Sequence, residues 1–212
     1  MPAGQTATTD FALDESALWI EHLEGEVARR GWKHVRAVRA RLQDAPLDAN
    51  AFDVIFARWV FSFVPEPAPV VATLARALKP GGAFAIEDYN HEGISLFPES
   101  DGFRAVVRAT RALYANMGGD TWVAGRASGI FRRAGLELEA LTPNVLCGGP
   151  GSPAFRWAAR FFPHFSQVMV AKGLLTQRER ESFLADWSAR EQDPDALFFS
   201  PIVVDCVARK PR

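Results

Sequence analysis

Residues 52–90, FDVIFARWVFSFVPEPAPVVATLARALKPGGAFAIEDYN, predict a strand, a helix and a second strand. Residues 54–60 are rich in β-branched and aromatic side chains, which predicts a strand buried on both faces. Pro65 and Pro67 mark a helix start, because proline lacks the N–H that a first helical turn leaves unpaired. Apolar residues then recur at helical spacing, and the Pro-Gly-Gly sequence at 80–82 ends that helix. A strand–helix–strand unit of this length predicts a parallel α/β sheet.

The bulk properties of the chain favour a small-molecule partner. With 212 residues, it is long enough for one domain with an elaboration. A net charge of -1 argues against nucleic acid, and the sequence has no apolar run long enough to cross a membrane. Residues 1–10 lack the features of a signal peptide, so we expect a cytoplasmic protein. Cys147 and Cys206 have no metal-site spacing and are predicted to be buried free thiols, and no metal is expected.

The rest of the chain alternates between predicted strands and helices. Ser16 and Gly31 are suited to begin and end one helix, which separates predicted strands at 7–13 and 34–40. Further elements are expected as follows: helices at 103–117 and 122–134, a strand at 136–146, two or three helical pieces within 154–192, and a final strand at 198–208. Thr176 and Glu179 have the spacing of a capping box, which predicts the start of the last helical piece. We therefore expect an α/β core formed by residues 1–149 and 195–212, with residues 150–194 as a helical cap.

The central stretch resembles a known family. The segments FDVIFARWVFSFVPEP and LARALKPGGAFAIEDY are similar to the middle of the class I S-adenosylmethionine-dependent methyltransferases, and the Leu-Lys-Pro-Gly-Gly turn at 78–82 is the most specific piece. The resemblance covers residues 11–141 and about the last fifteen. It implies a Rossmann-like sheet, S-adenosylmethionine as cofactor and a small-molecule acceptor. In that family the last two strands form a hairpin, so residues 150–194 would be an insertion between them.

The resemblance also places cofactor-binding residues. Asp14 matches the acidic strand end that binds the ribose hydroxyls, and Leu42 matches the position whose backbone N–H meets the adenine ring. Arg41 stands where the family has an adenine-binding Asp, and arginine cannot accept a hydrogen bond. The family's first strand and glycine-rich turn have no counterpart before Asp14. In a competing register, residues 7–13 are the first strand and residues 14–16 a degenerate turn, which leaves one strand too few before Asp53.

In the preferred register, the missing strand is the central one. Its absence would leave two unpaired strand edges in the middle of a sheet, which is costly. Either the flanking strands pair directly, or another chain fills the gap, as in a homodimer. The third explanation, which we favour as an expectation, is that the sequence is an N-terminal truncation of a longer protein.

Candidate site residues follow the strands of the central stretch. Arg58 and Trp59 end the first strand, at the edge where open α/β sheets bind ligands. Trp59 could face the sulfonium of the cofactor or pack in the core, and Arg58 could bind a carboxylate or be exposed. The next strand runs into Asp88-Tyr89-Asn90-His91-Glu92, the densest polar cluster of the chain.

Within and beyond that cluster, a few residues are candidates for substrate chemistry. His91 is the candidate general base, against the alternative of an ordinary loop histidine. Tyr89, Asn90, Trp122 and His164 are candidate substrate contacts. The aromatic residues of the insertion could line an apolar acceptor pocket or pack the insertion onto the core.

Two functions fit these residues. In the first, the protein transfers a methyl group from S-adenosylmethionine to a small molecule, and the cap encloses the acceptor. In the second, a methyltransferase-like domain without its cofactor site binds a partner or regulates. Asp14 and the cluster at 88–92 support the first function, whereas Arg41 and the missing glycine-rich turn support the second.

Overall fold

The computed structural model describes residues 9–212, and the chain divides into two compact units, residues 1–48 and 49–212. The N-terminal unit contains, in chain order, β1 (Asp10–Asp14), α1 (Ala17–Arg30), β2 (Val35–Arg39) and a short 3-10 helix (Leu42–Asp44). The predicted start and end of α1 are confirmed. The Ser16 hydroxyl accepts the Trp19 N–H, and Gly31 adopts the left-handed conformation with a φ of 65°.

In this unit β1 and β2 form a two-stranded parallel sheet, with Asp14 opposite Arg39. Of the strand predicted at 7–13, residues 7 and 8 lie outside the described residues. Both registers considered in the sequence analysis make the strands predicted at 7–13 and 34–40 parallel neighbours. The pairing of β1 with β2 therefore leaves the choice between the registers a prediction.

The C-terminal unit, residues 49–212, holds the remaining elements. In chain order they are β3 (Phe52–Arg58), a 3-10 helix (Phe61–Phe63), α2 (Pro67–Ala77), β4 (Leu78–Asn90), β5 (Ser95–Phe97), α3 (Asp101–Asn116), a 3-10 helix (Val123–Arg126), α4 (Ala127–Arg133), β6 (Glu137–Asn144), β7 (Cys147–Gly148), α5 (Pro153–Ala171), α6 (Gln177–Glu191), β8 (Leu197–Phe199) and β9 (Ile202–Arg209).

The main sheet of this unit has the strand order β3-β4-β9-β6. β3 and β4 are parallel, whereas β9 runs antiparallel to both of its neighbours, β4 and β6. The predicted α/β class is thus confirmed, and α5 and α6 lie between β6 and β9 in the chain. A second, small antiparallel sheet has the order β5-β8-β7.

The helices between β6 and β9 form a core with α3. This core is built from buried side chains of α3, α5, α6 and the small sheet, among them Phe103, Phe155, Phe162, Phe183, Trp187 and Phe198. Ser152 begins α5 by accepting the Phe155 N–H, and Thr176 with Glu179 forms the predicted capping box of α6. Several aromatic residues of the insertion therefore pack in a core, which was the structural alternative for them.

The burial predicted for β3 is wrong. Val54 and Phe56 lie on the same face of the strand, and each is 63% exposed. The reason is the position of the strand, since within residues 49–212 β3 is the edge of its sheet. On β4 the alternate residues Phe84 and Ile86 are buried, whereas Ala83 and Ala85, opposite Val54 and Phe56, are only half-buried.

Within residues 9–48 β1 pairs with β2, and within residues 49–212 β3 pairs with β4. These pairings inside each unit do not test direct pairing of the flanking strands, which stays a prediction. Completion of the sheet by another chain, as in a homodimer, stays a prediction.

The prediction for the two thiols is half wrong. Cys206 lies on β9 and is fully buried, but Cys147 is exposed in the two-residue strand β7. Composition alone could not place Cys147, because β7 is too short to have a core-facing pattern. Within residues 9–212, no helix has the length and apolar character needed to cross a membrane.

Candidate functional site

The candidate site lies at the edge of the main sheet where β3 and β4 end. The strands are parallel, and Arg58, the last residue of β3, lies opposite Glu87. Trp59 leaves the strand with a φ of 53°, and its N–H donates to the Glu87 carbonyl oxygen at 2.8 Å. This bond holds the turn after β3 against β4. The residues that follow both strands therefore come together at one edge.

Arg58 and Trp59 form a stacked group with two residues of β4. Arg58 Nε lies 2.9 Å from Glu87 Oε1, and the guanidinium carbon lies 4.2 Å from the centre of the Trp59 ring. The Trp59 ring stacks on that of Tyr89, with centroids 5.8 Å apart and 6° between the planes. Arg58 thus already has a carboxylate partner, and a cation already lies on the Trp59 ring. Glu87 was not predicted as a partner.

Asp88 has a structural position behind this group. It is fully buried, and its carboxylate accepts the N–H groups of Phe61 at 2.7 Å, Ser62 at 3.1 Å and Tyr89 at 2.8 Å. Burial raises the pKa of Asp88, and the hydrogen bonds oppose that rise. The carboxylate therefore ties the loop after β3 to the end of β4.

His91 lies one residue beyond β4 and is only 4% exposed. Its N–H donates to the Thr121 carbonyl at 3.0 Å, and Arg111 of α3 donates to the His91 carbonyl oxygen. The side-chain Nδ1 is buried without a hydrogen-bond partner. Burial, with a smaller contribution from Arg111, lowers the pKa of His91 to about 4. The imidazole is therefore neutral at physiological pH.

A small aromatic pocket surrounds His91. Its lining residues come from the end of β4, from α3 and α5, and from the segments beside them: Tyr89, His91, Ile94, Tyr114, Trp157, Phe161, Phe162 and Pro201. The His91 ring lies 5.2 Å from the Tyr89 ring and 5.7 Å from the Tyr114 ring, between centroids. Burial raises the pKa of both tyrosines, that of Tyr114 to about 12, so both phenols are neutral. The insertion contributes three of the lining rings.

The structure brings the predicted substrate residues together only in part. Tyr89 and His91 line the pocket. Asn90 instead accepts the Glu92 N–H at 3.1 Å, and Trp122 donates its Nε1–H to Glu92 Oε1 at 3.0 Å. His164 is exposed on α5, where its ring contacts that of Phe165 at 5.6 Å. None of these last three residues lines the pocket.

Tyr114 and Arg111 are the site residues that sequence reasoning missed. Tyr114 lies in the helix predicted at 103–117, where an aromatic residue at helical spacing is typical of a core-facing position. Its ring stacks on that of Phe63, with centroids 4.7 Å apart, and its centroid lies 5.7 Å from that of the His91 ring. Arg111 is half-buried and lies 5.1 Å from the Trp122 ring. The available signal was helical spacing, because residues 111 and 114 are three apart and share a face.

Comparisons with known proteins identify the fold. Residues 4–86 match the family model of a methyltransferase domain. A crystal structure of a candidate methyltransferase from Bacillus halodurans is 19% identical, with a TM-score of 0.63 over 95% of this chain and 83% of that one. A candidate sarcosine dimethylglycine methyltransferase from Galdieria sulphuraria is 18% identical, with a TM-score of 0.56 over 96% of this chain and 70% of that one.

A third similar structure was solved with ligands. Phosphoethanolamine N-methyltransferase 2 from Haemonchus contortus, in complex with phosphomonomethylethanolamine and S-adenosylhomocysteine, is 14% identical with a TM-score of 0.55. The alignment covers 95% of this chain and 43% of that one. No protein of curated function matches the sequence.

The fold is that of a class I S-adenosylmethionine-dependent methyltransferase. The resemblance found in the sequence is thereby confirmed. Asp14 ends β1, where it is exposed, and its Oδ1 accepts a hydrogen bond from the Ser16 N–H at 2.8 Å. Its second carboxylate oxygen has no partner among residues 9–212 and is free for a ligand. Leu42 begins the 3-10 helix after β2 and is half-buried, and Arg41 pairs with Glu15 at 3.7 Å.

The low pKa of His91 predicts that the methyltransferase fold is sensitive to acid. The pKa falls from 6.5 to about 4 on folding, so the folded state resists protonation. The stability that depends on neutral His91 is complete above pH 6.5 and is lost as the pH falls towards 4. Between pH 7 and pH 4.5, we expect the free energy of unfolding, measured with urea, to fall by about 2 kcal/mol more in the wild type than in His91→Phe.

A matched control is His164→Phe, which removes an exposed histidine from the same unit. Its loss of stability on acidification should equal that of wild type. Asp88, whose pKa is raised, acts in the opposite direction but is present in every variant. Equal acid sensitivity of wild type and His91→Phe would contradict the burial of a neutral imidazole.

Proposed function

We propose that the protein transfers a methyl group from S-adenosylmethionine to a small-molecule acceptor. The observation that carries the proposal is the aromatic pocket at the carboxyl end of β4, in a fold of the methyltransferase type. Structural relatives have been solved with S-adenosylmethionine or S-adenosylhomocysteine, which supports the same cofactor here.

Each unit, taken by itself, has residues that fit part of a cofactor site. The free oxygen of Asp14 can accept a hydrogen bond from a ribose hydroxyl. Leu42 is half-buried and is suited to contact the adenine ring. The Arg58–Glu87 pair and the Trp59 ring lie at the strand ends that would meet the methionine part. When bound, the cofactor supplies a methyl group already activated by a sulfonium. The protein then has to orient the acceptor and exclude water.

We assign the acceptor to the His91 pocket, whose α5 side chains would have to move to admit it. Aromatic rings of α5 close it, and Tyr89, His91 and Tyr114 supply the polar atoms. A lining of this kind, largely apolar with a few convergent polar groups, is typical of small-molecule sites. Asn90, Trp122 and His164 would contribute to substrate binding only if the segments that carry them moved.

Titration calorimetry with S-adenosylmethionine, and separately with S-adenosylhomocysteine, tests the proposal. We expect micromolar binding at one site per chain. Asp14→Ala should weaken it by about ten- to a hundredfold, since a hydrogen bond to a charged group contributes about 1.5–3 kcal/mol. The matched control is Asp10→Ala, at the opposite end of the same strand, which should leave the affinity unchanged.

The second candidate function is that of a methyltransferase-like module that binds a partner or regulates without catalysis. Two observations favour it: Arg41 occupies the place of the adenine acceptor, and Arg58 already lies on the ring of Trp59. The same titration separates the two. No heat up to millimolar ligand, with a folded sample, would exclude the catalytic function for this chain and support the second one.

A further inference from the structure

The pocket around His91 has a lining that discriminates between classes of acceptor. None of its eight lining residues carries a formal charge at neutral pH, and the imidazole is the only basic group among them. Trp157 and Phe161 stack with centroids 5.3 Å apart and 8° between the planes, and Phe162 meets both rings edge-on. Flat aromatic walls of this kind bury a planar, uncharged ring favourably.

The unpaired nitrogen of His91 points to a hydrogen-bonding ligand. Nδ1 is buried without a partner, although buried polar atoms are rarely left unsatisfied. A neutral imidazole offers one donor and one acceptor nitrogen. No side chain of the pocket supplies the missing bond, because neither tyrosine hydroxyl bonds to His91 in the part of the chain that the structure describes. A hydroxyl on a bound ring could both donate to the imidazole and accept from it.

The charges around His91 disfavour a cationic acceptor. Arg111 contacts the His91 backbone from α3, and its Nε is also buried without a partner. The nearest acidic side chains are engaged elsewhere: Asp88 binds three backbone N–H groups, and Glu92 binds Trp122. Aromatic faces attract cations, but a guanidinium beside a pocket without a carboxylate repels them. The same field favours an oxygen that gains negative charge during the reaction.

We propose that the pocket binds a neutral, planar aromatic acceptor, that its hydroxyl donates to Nδ1 of His91, and that this hydroxyl oxygen receives the methyl group. This inference rests on the proposed function. In the reaction, the oxygen forms a bond to the methyl carbon, and the carbon–sulfur bond of the donor breaks with its electrons remaining on sulfur. The hydroxyl proton is released to water as the oxygen–methyl bond forms, and the imidazole stays neutral and orients the oxygen through the hydrogen bond to Nδ1. His91 is thus a catalytic residue, and Arg111 positions it.

Entry of such an acceptor requires movement of α5 side chains. The cavity volume is about 10 Å³, which is room for about one water molecule. Trp157 and Phe161 are half-buried, whereas Phe162 is fully buried in the core. The acceptor therefore enters by displacing the stacked pair Trp157–Phe161, whose two rings then cover it.

The experiment is a calorimetric titration of the whole chain, without cofactor, with four small arenes. These are 4-methylphenol, its methyl ether 4-methylanisole, benzylammonium and benzoate. We expect 4-methylphenol to bind about fivefold more tightly than the ether, the contribution of one neutral hydrogen bond, and both ions to bind more weakly than the phenol. His91→Phe should abolish the difference between phenol and ether, and His22→Phe, which removes an exposed histidine of α1, should preserve it.

Each contrary result overturns the inference. Tightest binding of benzylammonium would indicate a cationic amine acceptor, and tightest binding of benzoate would indicate an anionic one. Retention of the phenol preference in His91→Phe would exclude His91 as the hydrogen-bond acceptor, and absence of binding by all four arenes would exclude an aromatic ligand. Because no cofactor is present, these failures are distinct from failure to bind S-adenosylmethionine, which would overturn the proposed function.

Discussion

Asp88→Ala should lower the free energy of unfolding of residues 49–212 by about 3 to 5 kcal/mol. The carboxylate is fully buried and accepts three backbone N–H groups, from Phe61, Ser62 and Tyr89. Alanine would leave all three donors without an acceptor in a place that water does not reach, and each such donor costs about 1–3 kcal/mol. The measurement is urea unfolding at pH 7, followed by far-UV circular dichroism.

Asp88→Asn is the matched control for this substitution. The asparagine oxygen can still accept N–H groups, but its NH₂ group replaces the second acceptor and itself needs a partner. We therefore expect an intermediate loss. Because burial raises the pKa of Asp88, removal of its charge also relieves a desolvation cost, which reduces the loss further. A change of less than about 1 kcal/mol in Asp88→Ala would contradict the role of the carboxylate in holding the loop after β3.

The role of Asp88 shows what sequence reasoning could and could not provide. The position of the residue at a strand end followed from the pattern of residues 52–90, because β-branched runs, prolines and glycines act on their own neighbours in the chain. The partners of its carboxylate lie up to 27 positions away in the chain. Whether such an acid meets a ligand or backbone N–H groups is decided by packing between elements. In this case packing gives one acid of the polar cluster at 88–92 a structural role.

The same distinction applies to His91 and the insertion. Residue 91 was a candidate from its place after a strand, and the capping box of α6 followed from Thr176 and Glu179 alone. That Tyr114, Arg111 and Phe161 surround His91 depends on how α3 and α5 cross the end of β4, and helical spacing does not encode those crossings. Val54 and Phe56 are exposed although their sequence is typical of a buried strand. Such a sequence shows that the residues favour a strand, but it does not show which other elements cover that strand.

Gly102→Ala should also destabilise the C-terminal unit strongly, because it disrupts the closest crossing of two helices. Gly102 lies in the first turn of α3. A Cβ at this position would lie 2.5 Å from the backbone N and 2.6 Å from the Cα of Phe183 on α6. These are backbone atoms, so no side chain can rotate away, and α3 and α6 would have to separate. Phe183 is fully buried, so its packing against Phe103 and Trp187 would loosen with the crossing.

We expect a loss of about 3 kcal/mol or more, at the upper end for overpacking, although alanine itself favours the helix by about 1 kcal/mol. Gly129→Ala in α4 of the same unit is the matched control, since its Cβ meets only the flexible end of Arg133, at 3.3 Å. That variant should be neutral or more stable by up to about 1 kcal/mol. Urea unfolding measures both variants. If Gly102→Ala proved as stable as Gly129→Ala, α3 and α6 could not be in backbone contact, and the core beneath α5 would need a different packing.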